Sequence, residues 1–138
     1  MMDSKEEVII KIDTFYRIIS GEKTTSRDWI KFKELFYEDA TLCSLKKNEN
    51  NQSNSKLMKV DYYIERLKDF LANNDFYEFG TVYKIMKYEN ICFVYNEYQA
   101  FEDKNKTHFK KKGINLITLL FDGLEWKIVS MLWEDKLD

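Results

Sequence analysis

Asp39, Glu97, Tyr16 and Asn115 are the side chains whose types and settings suit proton transfer or the grip of a small molecule. Asp39 lies in KFKELFYEDATL (31–42), where an amphipathic helical pattern gives way to a strand. A carboxylate at such a corner either opens into a cavity as a base or bonds backbone amides, as aspartate does at turns. Glu97 belongs to a strand in which Tyr95, Glu97 and Gln99 alternate with Asn96, Tyr98 and Ala100. Period-two geometry gives each set one face, and the pattern leaves open which face is inward. Enclosed among apolar groups, Glu97 would have a raised pKa and serve as a base; on the other face it is a solvated glutamate. Tyr16 sits on a buried helical stripe, so its hydroxyl must meet either a ligand or another buried polar group. Asn115 interrupts the apolar run GINLITLLF (113–121), and a buried amide there needs partners from a ligand or from the protein.

Other reactive types offer less. His108, the single histidine, falls in the charged turn KNKTHF (104–109) and reads as solvent-exposed. Cys43 and Cys92 each lie in an apolar strand-like run and read as free, buried thiols. Nothing has the paired Cys or His spacing of a metal site, so no metal and no cofactor are expected. With 22 basic against 24 acidic residues and a net charge of −2, the chain has no strong field for phosphates. Nucleic acid is therefore not an expected partner. No run approaches the length of a membrane span. The acidic start MMDSKEEVIIKID lacks the apolar core and cleavage site of a signal peptide. A membrane is not expected as a partner, and the cytoplasm is the expected location.

The elements that must position these residues are legible as periodic segments. Ser4 and Glu7 form a capping box for a helix whose stripe is Val8, Ile12, Phe15, Tyr16 and Ile19, with Gly21 as its stop. Thr25 or Ser26 caps a second helix presenting Trp29, Phe32, Leu35 and Phe36 on one face. Residues 40–45 read as a short strand and the polar stretch 46–56 as a solvated loop. Asp61 caps a third helix with Tyr63, Ile64, Leu67, Phe70 and Leu71 inward. Four long runs rich in β-branched and aromatic residues follow, at 76–88, 91–101, 109–121 and 125–133. Turn signals at 89–90, 102–107 and 122–123 separate them. In the last run, strict alternation puts Val129, Met131 and Trp133 on one face and Ile128, Ser130 and Leu132 on the other. Helices followed by an antiparallel meander give an α+β domain of order α-α-β-α-β-β-β-β spanning residues 1–138. Aromatics make up 16% of the chain, enough either to line a cavity or to plug it.

FYRIIS, FKELFYEDATL, the helix from Asp61 and GINLITLLFDGLEWKIVSM, in this order across nearly the whole chain, resemble the nuclear-transport-factor-2-like (NTF2-like) superfamily. That superfamily includes ketosteroid isomerases and SnoaL-like polyketide cyclases. The resemblance implies a curved antiparallel sheet wrapped around three helices, forming a cone that often holds a small apolar molecule. It also implies dimerisation through the outer face of the sheet, here including Ile114, Leu116 and Leu120. In the isomerase scheme a carboxylate base moves a proton beside a carbonyl while a tyrosine and a protonated acid stabilise the oxyanion. Tyr16 matches the place of that tyrosine and Asn115 the place of the protonated acid. Ser44 stands where the base would be, and an unassisted serine hydroxyl is no base near neutrality, so steroid-type isomerisation is disfavoured. By the same resemblance Met131 and Trp133 line the cone. The expected function is binding of a small, largely apolar molecule by Tyr16, Trp29, Asn115, Met131 and Trp133. One alternative is a cofactor-independent isomerase, lyase or cyclase with Asp39 or Glu97 as base and Tyr16 and Asn115 as donors. Another is a noncatalytic dimerisation domain.

Overall fold

Asp3, rather than Ser4, starts the first helix: its carboxylate accepts the Glu6 amide at 2.8 Å, the reach of an N-cap side chain. The computed structural model describes residues 2–136. Helix α1 (Ser4–Ile19) buries the expected stripe of Val8, Ile12, Phe15, Tyr16 and Ile19. The chain leaves it at Ser20 in an extended conformation, and Gly21 adopts a φ of +144°, where a side chain would be strained. That geometry lets Gly21 exchange backbone hydrogen bonds with Phe76 at 2.7 and 3.0 Å. The Arg27 guanidinium donates to the carbonyls of Ile19 and Gly21, tying the following loop to the end of α1. Helix α2 (Trp29–Glu34) therefore begins later than expected and is capped by Asp28, which accepts from the Lys31 amide at 3.0 Å. Leu35 and Phe36 fall beyond it, and Phe36 already opens a strand.

Strand β1 (Phe36–Ser44) starts earlier than the sequence suggests and carries an irregularity between Phe36 and Thr41, where Asp39 has a φ of +62°. Lys56, the last residue of the expected loop, opens a short strand that the sequence did not indicate, β2 (Lys56–Lys59), antiparallel to β1. Four residues of mixed character carry no periodic signal, so this strand could not be told from a loop. Helix α3 (Val60–Asn73) has Lys59 at its N-cap with no side-chain bond; Asp61 lies in its first turn and pairs with Lys33 at 2.8 Å. The meander is β3 (Tyr77–Tyr88), β4 (Ile91–Phe101), β5 (Phe109–Phe121) and β6 (Trp126–Lys136). β4 and β5 have the bounds expected from sequence, and β6 runs on past residue 133.

The six strands are ordered β2-β1-β6-β5-β4-β3, antiparallel except for the β1–β6 pair. Register shifts interrupt several of these pairings, between Gly80 and Val82, between Ala100 and Phe101 and between Thr118 and Leu119. Bulges bend and twist a sheet, and here the sheet curls about the helices as a cone. One bulge corrects the expected face of β6. Ser130 pairs with Thr118 but Ile128 pairs with Leu119, so Val129 is the extra residue. Ile128 and Met131, expected on opposite faces, are both buried in the core. That core also contains Phe32, Leu42, Val94, Ile117 and Leu119, each 0–2% exposed. Phe32 lies within 5.0–5.4 Å of the rings of Phe15, Trp29 and Phe36. Among the described residues, no helix is long and apolar enough to cross a membrane.

Candidate functional site

The residues of β4 that face the helices follow from its pairing with β5: Asn96 lies opposite Asn115, Tyr98 opposite Gly113 and Ala100 opposite Lys111. The inward set is thus Cys92, Val94, Asn96, Tyr98 and Ala100, all buried, and Glu97 belongs to the outer face. Between this concave surface and the helices lies a cavity of about 480 Å³. Its floor includes Phe15 and Ile19 of α1, Met131 and Trp133 of β6 and Asn115 of β5. Tyr63, Leu67 and Phe70 of α3 form one wall. Charged groups gather on the remaining lining: Lys46, Lys56, Arg66, Lys110 and Lys111 on one side of the ledger, Glu78 and Asp135 on the other.

A closed polar network sits at the inner end. The Tyr16 hydroxyl donates to Asn96 Oδ1, and Asn115 Nδ2 donates to the Tyr16 oxygen at 2.8 Å. Asn96 Nδ2 in turn donates to the carbonyls of Val82 and Glu97 at 3.0 and 3.1 Å. All three side chains are buried, which holds the Tyr16 phenol well above its ordinary pKa and neutral. The Tyr16 hydroxyl, the Asn96 amide and the Asn115 NH2 group are thus engaged within the protein, while Asn115 Oδ1 accepts no hydrogen bond among the described residues and Asn115 borders the cavity.

A different cluster lies nearer the charged lining. The Tyr98 hydroxyl donates to Asp135 Oδ1 at 2.5 Å and Lys111 Nζ to Asp135 Oδ2 at 3.1 Å. Gly113 makes room for this: a Cβ there would lie 2.4 Å from the Tyr98 oxygen and 2.3 Å from the Glu134 carbonyl. Glu78 projects from β3 beside the cluster. Ser20 Oγ accepts from its amide at 3.0 Å and donates to its carbonyl at 3.2 Å, fixing its backbone against the end of α1. Its carboxyl makes no hydrogen bond to a side chain among the described residues. Burial pushes the Glu78 pKa up to about 7, Asp135 adds to the rise, and Lys111 opposes it.

Of the side chains singled out from sequence, Asn115, Met131 and Trp133 line the cavity, with Trp133 edge-on to Tyr63 at 5.4 Å. Tyr16 lies behind Asn115, within the network. Trp29 packs on Phe32 at the edge of the core and is not part of the lining. Asp39 is exposed beside a separate hollow of about 240 Å³ with Lys33, Lys59 and Asp61, and its carbonyl accepts from Lys59 Nζ at 3.0 Å. Glu97 lies on the outer sheet face, so neither carboxylate proposed as a base reaches the cavity. Ser44 lines it, next to Trp133 in register. Cys43 and Cys92 are both free. Glu78, Asn96, Tyr98 and Asp135 were not identified from sequence. Extending the Met131–Trp133 alternation by one step reaches Asp135, a signal that was present.

No family model matches the sequence, nor does any curated protein. Solved structures do match. A protein of unknown function with a cystatin-like fold from Nostoc punctiforme superposes with a TM-score of 0.74 at 10% identity, over 96% of this chain and 90% of that one. An NTF2-like protein of unknown function from Silicibacter pomeroyi gives 0.65 at 14% identity, over 98% and 100%. A candidate calcium/calmodulin dependent protein kinase II association domain from Xanthomonas campestris gives 0.68 at 14% identity, over 98% and 89%.

Proposed function

We propose that this chain, whose fold is the NTF2-like, cystatin-like cone, binds a small molecule with a largely apolar body in the cavity between its helices and sheet. The observation that carries this reading is an interior of about 480 Å³ left open beside Trp133, Met131, Phe15 and Phe70, in a chain with enough aromatic residues to have filled it. Pockets of a few hundred cubic ångströms, apolar with a few convergent polar groups, are the usual form of small-molecule sites. Trp133 is well placed to feel an occupant: it is half-buried, lines the cavity and lies edge-on to Tyr63 of α3. Native against denaturing mass spectrometry of fresh protein, with Nile red fluorescence as a neutral probe, tests the reading. Trp133→Ala is expected to weaken Nile red binding about tenfold, equivalent to ~1.4 kcal/mol. Absence of both a carried molecule and Nile red binding would overturn it.

A second reading, association of two copies, draws on the outer sheet face. Met86, Phe93 and Leu132 are exposed there, alongside Leu116, and the Xanthomonas neighbour is described as an association domain. Leu116→Lys should convert a dimer to a monomer by light scattering. A wild-type monomer at high concentration would end this reading.

A further inference from the structure

Two features of the cavity wall point to the chemistry of its occupant. The first is charge: Lys46, Lys56, Arg66, Lys110 and Lys111 outnumber Glu78 and Asp135 in the lining. Lys110 and Lys111 lie over the Phe70 and Phe76 rings at 5.1 and 5.8 Å, which holds their charge at the cavity wall. The second is a half-buried acid without a side-chain partner. Asp135 is satisfied by Tyr98 and Lys111. Glu78, with its backbone pinned by Ser20, presents a carboxyl to the cavity with no side-chain partner among the described residues. It stands across the small side chain of Ala100 from Lys111 in register.

We propose that Glu78 and Lys111 form a subsite for the carboxylate head of an amphipathic ligand, in which Glu78 takes up a proton on binding and donates it as a hydrogen bond to that head. The subsite rests on the binding reading above and names what the cavity takes: a monocarboxylate with an apolar tail or ring. The balance is simple. One proton leaves solvent and bonds to a Glu78 oxygen, no covalent bond of the ligand changes, and the ligand keeps its negative charge opposite Lys111. Asp135 on this wall is held by Tyr98 and Lys111. A ligand carboxylate bonded directly to Glu78 has no such partner there and requires Glu78 to be protonated, since like charges at hydrogen-bonding distance raise one another's pKa until one is neutral.

The groups facing Glu78 allow the switch. Tyr16 from α1, Tyr63 from α3 and Tyr98 from β4 all have pKa values raised by burial and stay neutral. Lys111 from β5 and Asp135 from β6 form an ion pair at 3.1 Å. Burial and Asp135 push the Glu78 pKa up to about 7 against the pull of Lys111, so little work is needed to protonate it near neutrality.

Octanoate, with octanol and octylamine as neutral and cationic controls, tests this by isothermal titration calorimetry in buffers of different ionisation enthalpy. Octanoate binding to the wild type is expected to draw in nearly one proton well above neutrality and almost none well below it. Its affinity should then fall by up to about tenfold per pH unit on the alkaline side. Glu78→Gln keeps a hydrogen-bond donor but cannot titrate, and should bind octanoate with no proton uptake and a flat pH dependence. Lys111→Met should weaken octanoate and leave octanol unchanged. Octanoate binding without proton uptake by the wild type would overturn the subsite while leaving the cavity reading intact. Preference for octylamine with proton release would overturn it too, by making Glu78 a cation's partner. If octanoate and octanol both fail to bind while Nile red binds, the subsite falls and the cavity reading stands; if Nile red and a carried molecule are absent as well, both fall. The wild-type buffer dependence decides the matter even if a variant does not fold.

Discussion

Strands β4 and β5 carry two polar clusters only two residues apart, and the clusters differ in what they leave unsatisfied. At Asn96 and Asn115 the donors and the Asn96 oxygen close on Tyr16, on each other and on backbone carbonyls, leaving Asn115 Oδ1 toward the cavity. At Tyr98 and Gly113 the analogous cluster ties up Asp135 and Lys111 but stops short of Glu78. The first behaves as a core element: buried polar atoms find partners because leaving them unpaired costs free energy. The second has a half-buried carboxyl with no side-chain partner, set among the charged groups of the cavity wall, whereas the first is mostly sealed within the core. Tyr16 and Asn115 are the pair that family resemblance marks as functional. In this chain their bonding capacity is directed toward Asn96, and the open chemistry lies two residues nearer the charged lining.

Breaking the closed cluster should cost the most. Asn96→Leu removes the acceptor of the Tyr16 proton, and a loss of about 3 kcal/mol is expected in chemical denaturation. A loss below about 1 kcal/mol would mean that water or relaxation satisfies Tyr16 and that the inner end is not sealed. Gly113→Ala probes the space under Tyr98. The added carbon meets the Glu134 backbone at 2.3 Å as well as a flexible ring, so about 2 kcal/mol of overpacking strain is expected, read as a lower melting temperature. An unchanged melting temperature would show that the β5–β6 pair yields there.

The smallest effect is the most diagnostic. The folded protein holds the Glu78 proton up to about pH 7, while the unfolded chain releases it near the ordinary 4.5. Between those values the folded state binds more protons, so stability falls as pH rises through the window and stays reduced above it. Glu78→Gln removes that dependence. It should be neutral near pH 5 and stabilising near pH 8 by on the order of 1–3 kcal/mol. A variant equally stable or less stable at the higher pH would show that Glu78 is well solvated or paired.

Much of the frame was legible in the sequence. The apolar stripe of α1 and the runs that became β4 and β5 gave element type and, for the two strands, bounds, because each is long and strongly periodic. Caps were less legible. Asp3 and Ser4 both suit an N-cap, and only geometry chose Asp3; the Arg27 tether displaced the start of α2 to Asp28. The site was partly legible. Asn115, Met131 and Trp133 were placed in the lining by alternation and resemblance. Glu78 and Asn96 were not, because the face of an alternating polar strand is set by its partner's register. Bulges at Thr81 and Val129 also shift the phase of β3 and β6, and no local residue pattern announces them. Asp39 and Glu97, the bases of the alternative enzyme reading, lie away from the cavity for related reasons: one sits exposed at a positive-φ corner, and strand parity puts the other on the outer face.

The contrast between the clusters is tested most directly by carbon-13 NMR titration of the Glu78 side-chain carboxyl, free and with octanoate. A midpoint near 7 in the free protein, moving to higher pH when octanoate is added, is the predicted result. A midpoint near the ordinary glutamate value, unmoved by octanoate, would contradict it and leave the cavity wall without an unsatisfied acid.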